Sequence, residues 1–135
     1  MDTHEMVANA LTDGLIEGGK SLVAQLDAGR AQVTAAFWLL WQEPEQGVWK
    51  LMIALDDVAI EGPRAAYEKI QKALAKVADP QALSLDDVAL LKLDAPILKL
   101  LRIAIRTGPG MSSIRFSQNV INGQLIPDAY IYRLL

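Results

Sequence analysis

The sequence predicts a single α+β domain, in which an antiparallel or mixed sheet of about five strands packs with three helices. The predicted elements follow the order α-β-β-α-β-α-β-β, so strands succeed one another directly instead of alternating with helices. Turn signals join two pairs of strands, at Glu43–Gly47 and at Asn122-Gly123. No repeat, low-complexity tract or linker divides the 135 residues. We therefore expect one domain over residues 1–135.

The first helix is predicted from near Glu5 to Ala28, because apolar residues recur there at helical spacing and Gly29 supplies a stop. The pair Gly18-Gly19 is the point at which this helix can break. Next, residues 32–42 are rich in β-branched and aromatic side chains and apolar on both alternating sets. This pattern indicates a strand that is covered on both faces. Val48–Leu55 is predicted to pair with it as a hairpin.

A second helix opens at Gly62-Pro63, where proline suits the first helical position, and ends at Asp79-Pro80. A short strand is predicted over Val88–Leu93. Asp94-Ala95-Pro96 then starts a third helix, which we expect to run through Arg106 and to close at Gly108.

The remainder is predicted as sheet. Ile114–Ile121 and Gln124–Ile126 flank Asn122-Gly123, the dipeptide favoured in type I′ hairpin turns. Pro127-Asp128 is expected to kink the chain into a closing strand, Ala129–Leu134. This strand has no polar tail and could lie at an edge of the sheet, where its free backbone groups would invite a symmetric mate.

The amino-acid composition excludes several kinds of catalytic site. There is no cysteine, and His4 is the only histidine, which removes thiol nucleophiles, disulfides and Ser-His-Asp catalysis. These absences leave open whether the protein is an enzyme, and they favour a protein that is not one. Asp56-Asp57 and Asp86-Asp87 are adjacent acidic pairs, expected as strand ends and helix caps, so we expect no metal site and no cofactor.

Charge is uneven along the chain. Residues 1–67 carry a net charge of −6 and residues 68–135 a net charge of +3, which together make −3. This balance makes nucleic acid an unexpected partner, because phosphate binding needs a concentrated positive surface. The longest apolar run, Val33–Trp41, is shorter than the ~18 residues of a membrane span. With an acidic start at Met1-Asp2, these features predict a cytoplasmic protein without membrane contact.

The most specific motif is Gly14–Ser21, which matches the phosphate-binding pattern G-x-x-x-x-G-K-[ST] through Gly14, Gly19, Lys20 and Ser21. Asp56 ends an apolar strand, as a magnesium-holding acid does in such enzymes. However, a P-loop requires a strand before it, and the preceding residues have helical periodicity. A nucleotide-binding enzyme is therefore an alternative, and close helix packing at small residues is the expectation.

Cations are concentrated near the third helix. Lys99, Arg102 and Arg106 share one helix face by their spacing, and Arg115 on the following strand can extend it. These four residues could bind a small anion or nucleic acid. The alternative is a solvated face whose cations favour the carbonyl end of the helix.

Aromatic residues suggest an interface. Trp38, Trp41, Tyr130 and Tyr132 lie on predicted strands, and tryptophan and tyrosine are enriched where proteins meet. Counted with glycine in place of tyrosine, about 56% of the chain is apolar, against ~45–50% for ordinary domains. This surplus predicts a homo-oligomer or a complex with a protein partner.

Four segments resemble small bacterial proteins of unassigned function: residues 35–39, 62–67, 120–123 and 128–133. The resemblance implies no activity and no catalytic residue. Together these observations predict a non-enzymatic cytoplasmic binding or protein-interaction domain, homodimeric in its simplest form. The nucleotide-binding enzyme and the binder of anions or nucleic acid are the alternatives.

Overall fold

The computed structural model describes residues 10–42, 47–56, 61–77 and 83–135. These ranges hold three α-helices and five strands, in the predicted order, with a short 3₁₀ turn at Leu85–Asp87. In chain order the elements are α1 (Asp13–Ala28), β1 (Val33–Gln42), β2 (Gly47–Leu55), α2 (Pro63–Leu74), β3 (Val88–Leu91), α3 (Pro96–Ala104), β4 (Ile114–Ile121) and β5 (Gln124–Leu134).

The five strands form one mixed sheet in the order β3-β2-β1-β5-β4. The β1–β2, β1–β5 and β4–β5 pairs are antiparallel, whereas β2 and β3 run parallel. Parallel pairing needs a crossover, and α2 lies in the connection that provides it. The predicted α+β fold class, with three helices and a five-stranded mixed sheet, is confirmed.

The closing strand differs from its prediction. β5 is continuous from Gln124 to Leu134, with no break at Pro127-Asp128. It also lies inside the sheet, where it pairs with β1 on one side and β4 on the other, so the predicted edge position is wrong. The physical reason is burial on both faces: Ala129 and Ile131 point to one face, Tyr132 to the other, and all are buried.

The helices are shorter than predicted at several ends. Residues 10–12 precede α1, because the Thr12 side chain caps the helix by accepting the Leu15 N–H at 3.1 Å. The predicted start near Glu5 lies outside the described residues. α1 continues unbroken through Gly18-Gly19. α3 ends at Ala104, since Ile105 has extended backbone angles (φ −137°, ψ 135°).

Helices cover the sheet on both faces. α1 and α2 pack on what we call the α1/α2 face, with Trp38, Ile53 and Tyr132 in its core. Among the described helices, α3 packs on the opposite face, the α3 face, through the buried Leu98 and Leu101. The core on this face includes Phe37, Met52 and Ile131, which are buried within the single chain.

Candidate functional site

The P-loop-like motif is helical throughout. Gly14, Gly19, Lys20 and Ser21 all lie within α1, so their backbone does not form the open loop that cradles phosphates. Lys20 is exposed. Asp56 directly follows β2, and its side chain accepts a hydrogen bond from the Thr34 hydroxyl at 2.8 Å. The described conformation therefore offers a nucleotide no phosphate-binding loop at these residues.

Gly19 instead allows a close contact between α1 and the sheet. A Cβ atom at this position would lie 2.5 Å from the Tyr132 hydroxyl and 2.8 Å from Trp38 Nε1. Those two groups are hydrogen-bonded: Trp38 Nε1–H donates to the Tyr132 oxygen at 2.9 Å, and the Tyr132 hydroxyl donates to the Ile16 carbonyl. Burial raises the pKa of Tyr132 above its ordinary value, and the bond from Trp38 offsets part of that rise.

The aromatic residues predicted at an interface are mostly internal. Trp38 and Tyr132 are 0% and 1% exposed, so neither presents surface to another molecule. Tyr130 is half-buried and meets Tyr132 edge to face, with ring centres 5.5 Å apart. Trp41 lies in β1, and its side chain is outside the described part of the structure.

The four predicted anion-binding residues divide between the two faces. Arg115 lies on β4 between Ile114 and Phe116, which pack with the α3 face, so its own side chain points to the α1/α2 face. There its guanidinium carbon lies 5.5 Å from the ring centre of Trp49. Lys99, Arg102 and Arg106 belong to α3 or follow it directly, so Arg115 does not extend their face.

Arg115 is also engaged within the chain. Its two donor nitrogens bind both oxygens of Asp128, with Nε to Oδ1 at 2.7 Å, and Ser117 donates to the same oxygen at 2.7 Å. The hydrogen bond to Asp128 raises the pKa of Arg115. Burial opposes ionisation of Asp128, but the bonds from Arg115 and Ser117 outweigh it and lower the pKa of that carboxyl.

The cations around α3 differ among themselves. Arg102 is half-buried and donates from Nε to the Leu135 carbonyl at 2.7 Å, which gives it a structural contact. Lys99 and Arg106 are exposed and form no ion pair within the described ranges.

An apolar groove on the α3 face was not anticipated from the sequence. A cavity of about 380 Å³ lies beside α3, and its lining comprises Met52, Leu91, Ala95, Pro96, Ile97, Leu100 and Gln124. A second cavity of about 250 Å³ shares Ile97 and Gln124 with it and continues toward Leu39 and Pro127. We call the two cavities together the α3 groove. Its size is in the range of ligand sites, and Gln124 supplies the polar side chain in the larger cavity.

The signal for the groove was present in α3. Pro96, Leu100 and Ile103 have the i, i+4, i+7 spacing of one helix flank, separate from the buried Leu98 and Leu101. The cations Lys99 and Arg102 lie on the other flank of this helix. Ile103 is 60% exposed and continues this flank beyond the residues that line the two cavities.

The acidic pair Asp86-Asp87 lies in the 3₁₀ turn that precedes β3. Asp87 closes a capping box, accepting from the Ser84 backbone N–H at 3.0 Å, and the backbone carbonyl of Asp86 accepts from Lys50. Asp57 lies outside the described residues. In the part of the chain that is described, no group of three or more His, Asp or Glu side chains is placed to hold a metal ion.

None of the described helices combines the length with the apolar character that a membrane crossing requires. Comparison with protein-family models, curated proteins and solved structures finds no significant match to this chain.

Proposed function

We propose that this protein is a non-enzymatic interaction domain that binds a second copy of itself through the α3 groove. The observation that carries the proposal is that a projecting apolar side chain and an apolar cavity belong to the same short helix. Ile103 stands 60% exposed, and Ile97, about 9 Å earlier along the helix axis, lines both cavities. A surface that carries both a projection and a recess is suited to a twofold interface.

An antiparallel pairing of α3 with α3 of the second copy would place the projecting side chain of each chain in the cavity of the other. If the twofold axis passes near Leu100, Ile103 of each chain lies opposite Ile97 of the other and can enter the groove there. Burying these side chains removes apolar surface from water, which stabilises the complex by about 25 cal/mol for each Å² of apolar surface buried. Met52 and Leu91, on the sheet below, form the floor that such a side chain would contact.

Charge supports the same register. Asp94 precedes α3 and Arg106 follows it; both are exposed, and neither forms an ion pair within the described ranges. With the axis near Leu100, Asp94 of each chain lies opposite Arg106 of the other. Two such pairs would form symmetrically at the rim of the interface, where charge sets register more than affinity.

Sedimentation velocity at micromolar concentration tests the proposal. The wild-type protein should sediment with twice the 14.7 kDa mass of the chain. Ile103→Glu should dissociate it, weakening self-association about thirtyfold or more, because a buried anchor is replaced by a charge. Since Ile103 is exposed in the single chain, this change should leave the fold intact, which circular dichroism checks.

Val120→Glu is the matched control. Val120 is 65% exposed and also apolar, but it lies on β4, outside the residues that line the groove. This variant should self-associate like the wild type. A wild-type monomer at these concentrations would refute the proposal, and so would equal dissociation by the two variants.

A further inference from the structure

A separate cavity lies on the other side of the molecule, between α1 and α2. Its volume is about 120 Å³, and it is lined by Gln25, Leu26, Gly29, Ala31, Lys69, Lys72, Ala73 and Lys76. Leu26 and Ala73 are buried and form an apolar floor. The rim is dominated by three lysines, in a chain whose overall charge is −3.

The three lysines occupy one flank of α2 and its end. Their i, i+3 and i+7 spacing places Lys69, Lys72 and Lys76 within about 10 Å along the axis and directs them to the same side, toward α1. Lys69 pairs with Glu61 at 2.9 Å. Within the described ranges neither Lys72 nor Lys76 forms an ion pair. Like charges at this spacing repel each other, so an anion between them would stabilise the flank.

The facing wall supplies a neutral donor. Gln25 on α1 contributes an amide, whose NH₂ group has two donors. The backbone contributes none at the turn after α1: the N–H groups of Gly29, Arg30 and Ala31 all donate to carbonyls of α1, at 3.0, 3.0 and 2.9 Å. An anion here would therefore be held by side chains, with the lysines as charged donors and Gln25 opposite them.

We infer that this cavity binds one oxyanion of the phosphate class, free in solution, as inorganic phosphate or as the head group of a small phosphate monoester. Phosphate presents acceptor oxygens in several directions, which suits donors on two walls. The volume matches about four waters at ~30 Å³ each. It is well below the ~300 Å³ at which sites for whole small molecules begin, so the rest of a monoester would remain in solvent.

A nuclear magnetic resonance titration with inorganic phosphate, at ionic strength held constant with sodium chloride, tests the inference. The Gln25 side-chain amide and the Gly29 backbone amide should shift and saturate. Lys72→Gln combined with Lys76→Gln should bind phosphate about tenfold more weakly or worse, because two charged donors are lost.

The matched control is Arg64→Gln combined with Lys92→Gln, which removes two exposed positive charges from residues that do not line the cavity. It should keep the wild-type response. Equal weakening by both double variants would overturn the inference, because the effect would then follow from net charge alone. Chloride shifting the same amides as strongly as phosphate would overturn it too.

A final experiment distinguishes a phosphate group free in solution from one carried by a lipid surface. Vesicles of phosphatidylcholine with phosphatidic acid, tested beside vesicles of phosphatidylcholine alone, should not recruit the protein. Recruitment by the acidic vesicles, without a response to free phosphate, would replace the inferred ligand with a lipid surface.

Discussion

At the scale of single residues, Gly19 is the position where side-chain size matters most to the contact between α1 and the sheet. The Trp38 indole and the Tyr132 hydroxyl occupy the space that a methyl group would need. Both groups belong to rigid aromatic side chains in a packed core, and no flexible chain end is available to move aside. The glycine is therefore explained by packing, with no appeal to a ligand.

We expect Gly19→Ala to destabilise the protein by up to about 2 kcal/mol, since overpacking costs about 1–3 kcal/mol and alanine favours a helix over glycine by only ~1 kcal/mol. Gly14→Ala is the control, because its added Cβ would find Thr12 Oγ1 at 3.8 Å, an ordinary contact. Urea denaturation followed by tryptophan fluorescence measures both. Equal stability of the two variants would show that the space beside Gly19 can accommodate a methyl group without loss of stability.

Asp128 should make stability depend on acid pH. Its pKa is lowered in the folded protein, so its contribution is present above the ordinary unfolded pKa of ~3.9 and is lost as pH falls through the folded value. We expect Asp128→Asn to cost about 1 kcal/mol at neutral pH, a modest figure because the Arg115 side chain is 48% exposed.

The cost of Asp128→Asn should vanish well below the ordinary carboxyl pKa, where the wild type has lost the same charge. Urea denaturation at the two pH values measures this difference. Asp86→Asn, at an exposed carboxylate without an ion pair in the described ranges, should show no such change. A pH-independent cost of Asp128→Asn would mean that the carboxylate charge is irrelevant.

At the scale of elements, α1 shows why a motif is not a site. Gly14–Ser21 satisfies the phosphate-binding pattern, but the pattern acts only as a loop between a strand and a helix. Here Thr12 caps a helix that begins at Asp13 and includes the whole motif. In that conformation, backbone N–H groups beyond the first turn bond to the helix itself.

We expect ATP with magnesium to leave the melting temperature unchanged, and Lys20→Ala to melt alike with and without nucleotide. Differential scanning fluorimetry measures this directly. A ligand present at a hundredfold excess over its dissociation constant stabilises by ~2.7 kcal/mol, so binding would be visible. Stabilisation of that size in the wild type, absent from Lys20→Ala, would establish the nucleotide alternative.

Local sequence patterns were sufficient to predict that each element exists, but not which other elements lie next to it. Alternation and turn residues predicted β1, β2 and β4 within a residue or so, because those signals depend on adjacent side chains. The position of β5 depends on which strands pair with it, 90 or more residues away along the chain for β1. Its apolar residues on both faces were the available sign of an interior strand.

The candidate sites show the same division. Pro96, Leu100 and Ile103 can be recognised as one flank from their spacing, as can Lys69, Lys72 and Lys76. The floor of the groove, from Met52 and Leu91, and the opposing wall of the lysine cavity, from Gln25, arise only when distant segments meet. Spacing within one helix carries no information about what faces it.

At the scale of the whole molecule, the proposed dimer can be tested through its charges. Asp94→Arg alone and Arg106→Asp alone should each weaken self-association several-fold, because each places like charges opposite one another. The double exchange should restore it, since both pairs are re-formed with the signs reversed. Analytical ultracentrifugation of all four proteins measures the cycle. Additive losses in the double variant would contradict the antiparallel register.

The interior position of β5 has a consequence for how the protein is made. The ribosome synthesises β1 and β2 before β5, yet β5, which joins β1 to β4, follows all the other described strands. Until β5 emerges, one side of β1 has no hydrogen-bonding neighbour, and Phe37 and Trp38 lack part of their cover. The nascent chain thus passes through a long interval in which an apolar strand is open to pairing with other chains. Chaperone demand should therefore peak while β5 is still being synthesised and fall once the sheet is closed.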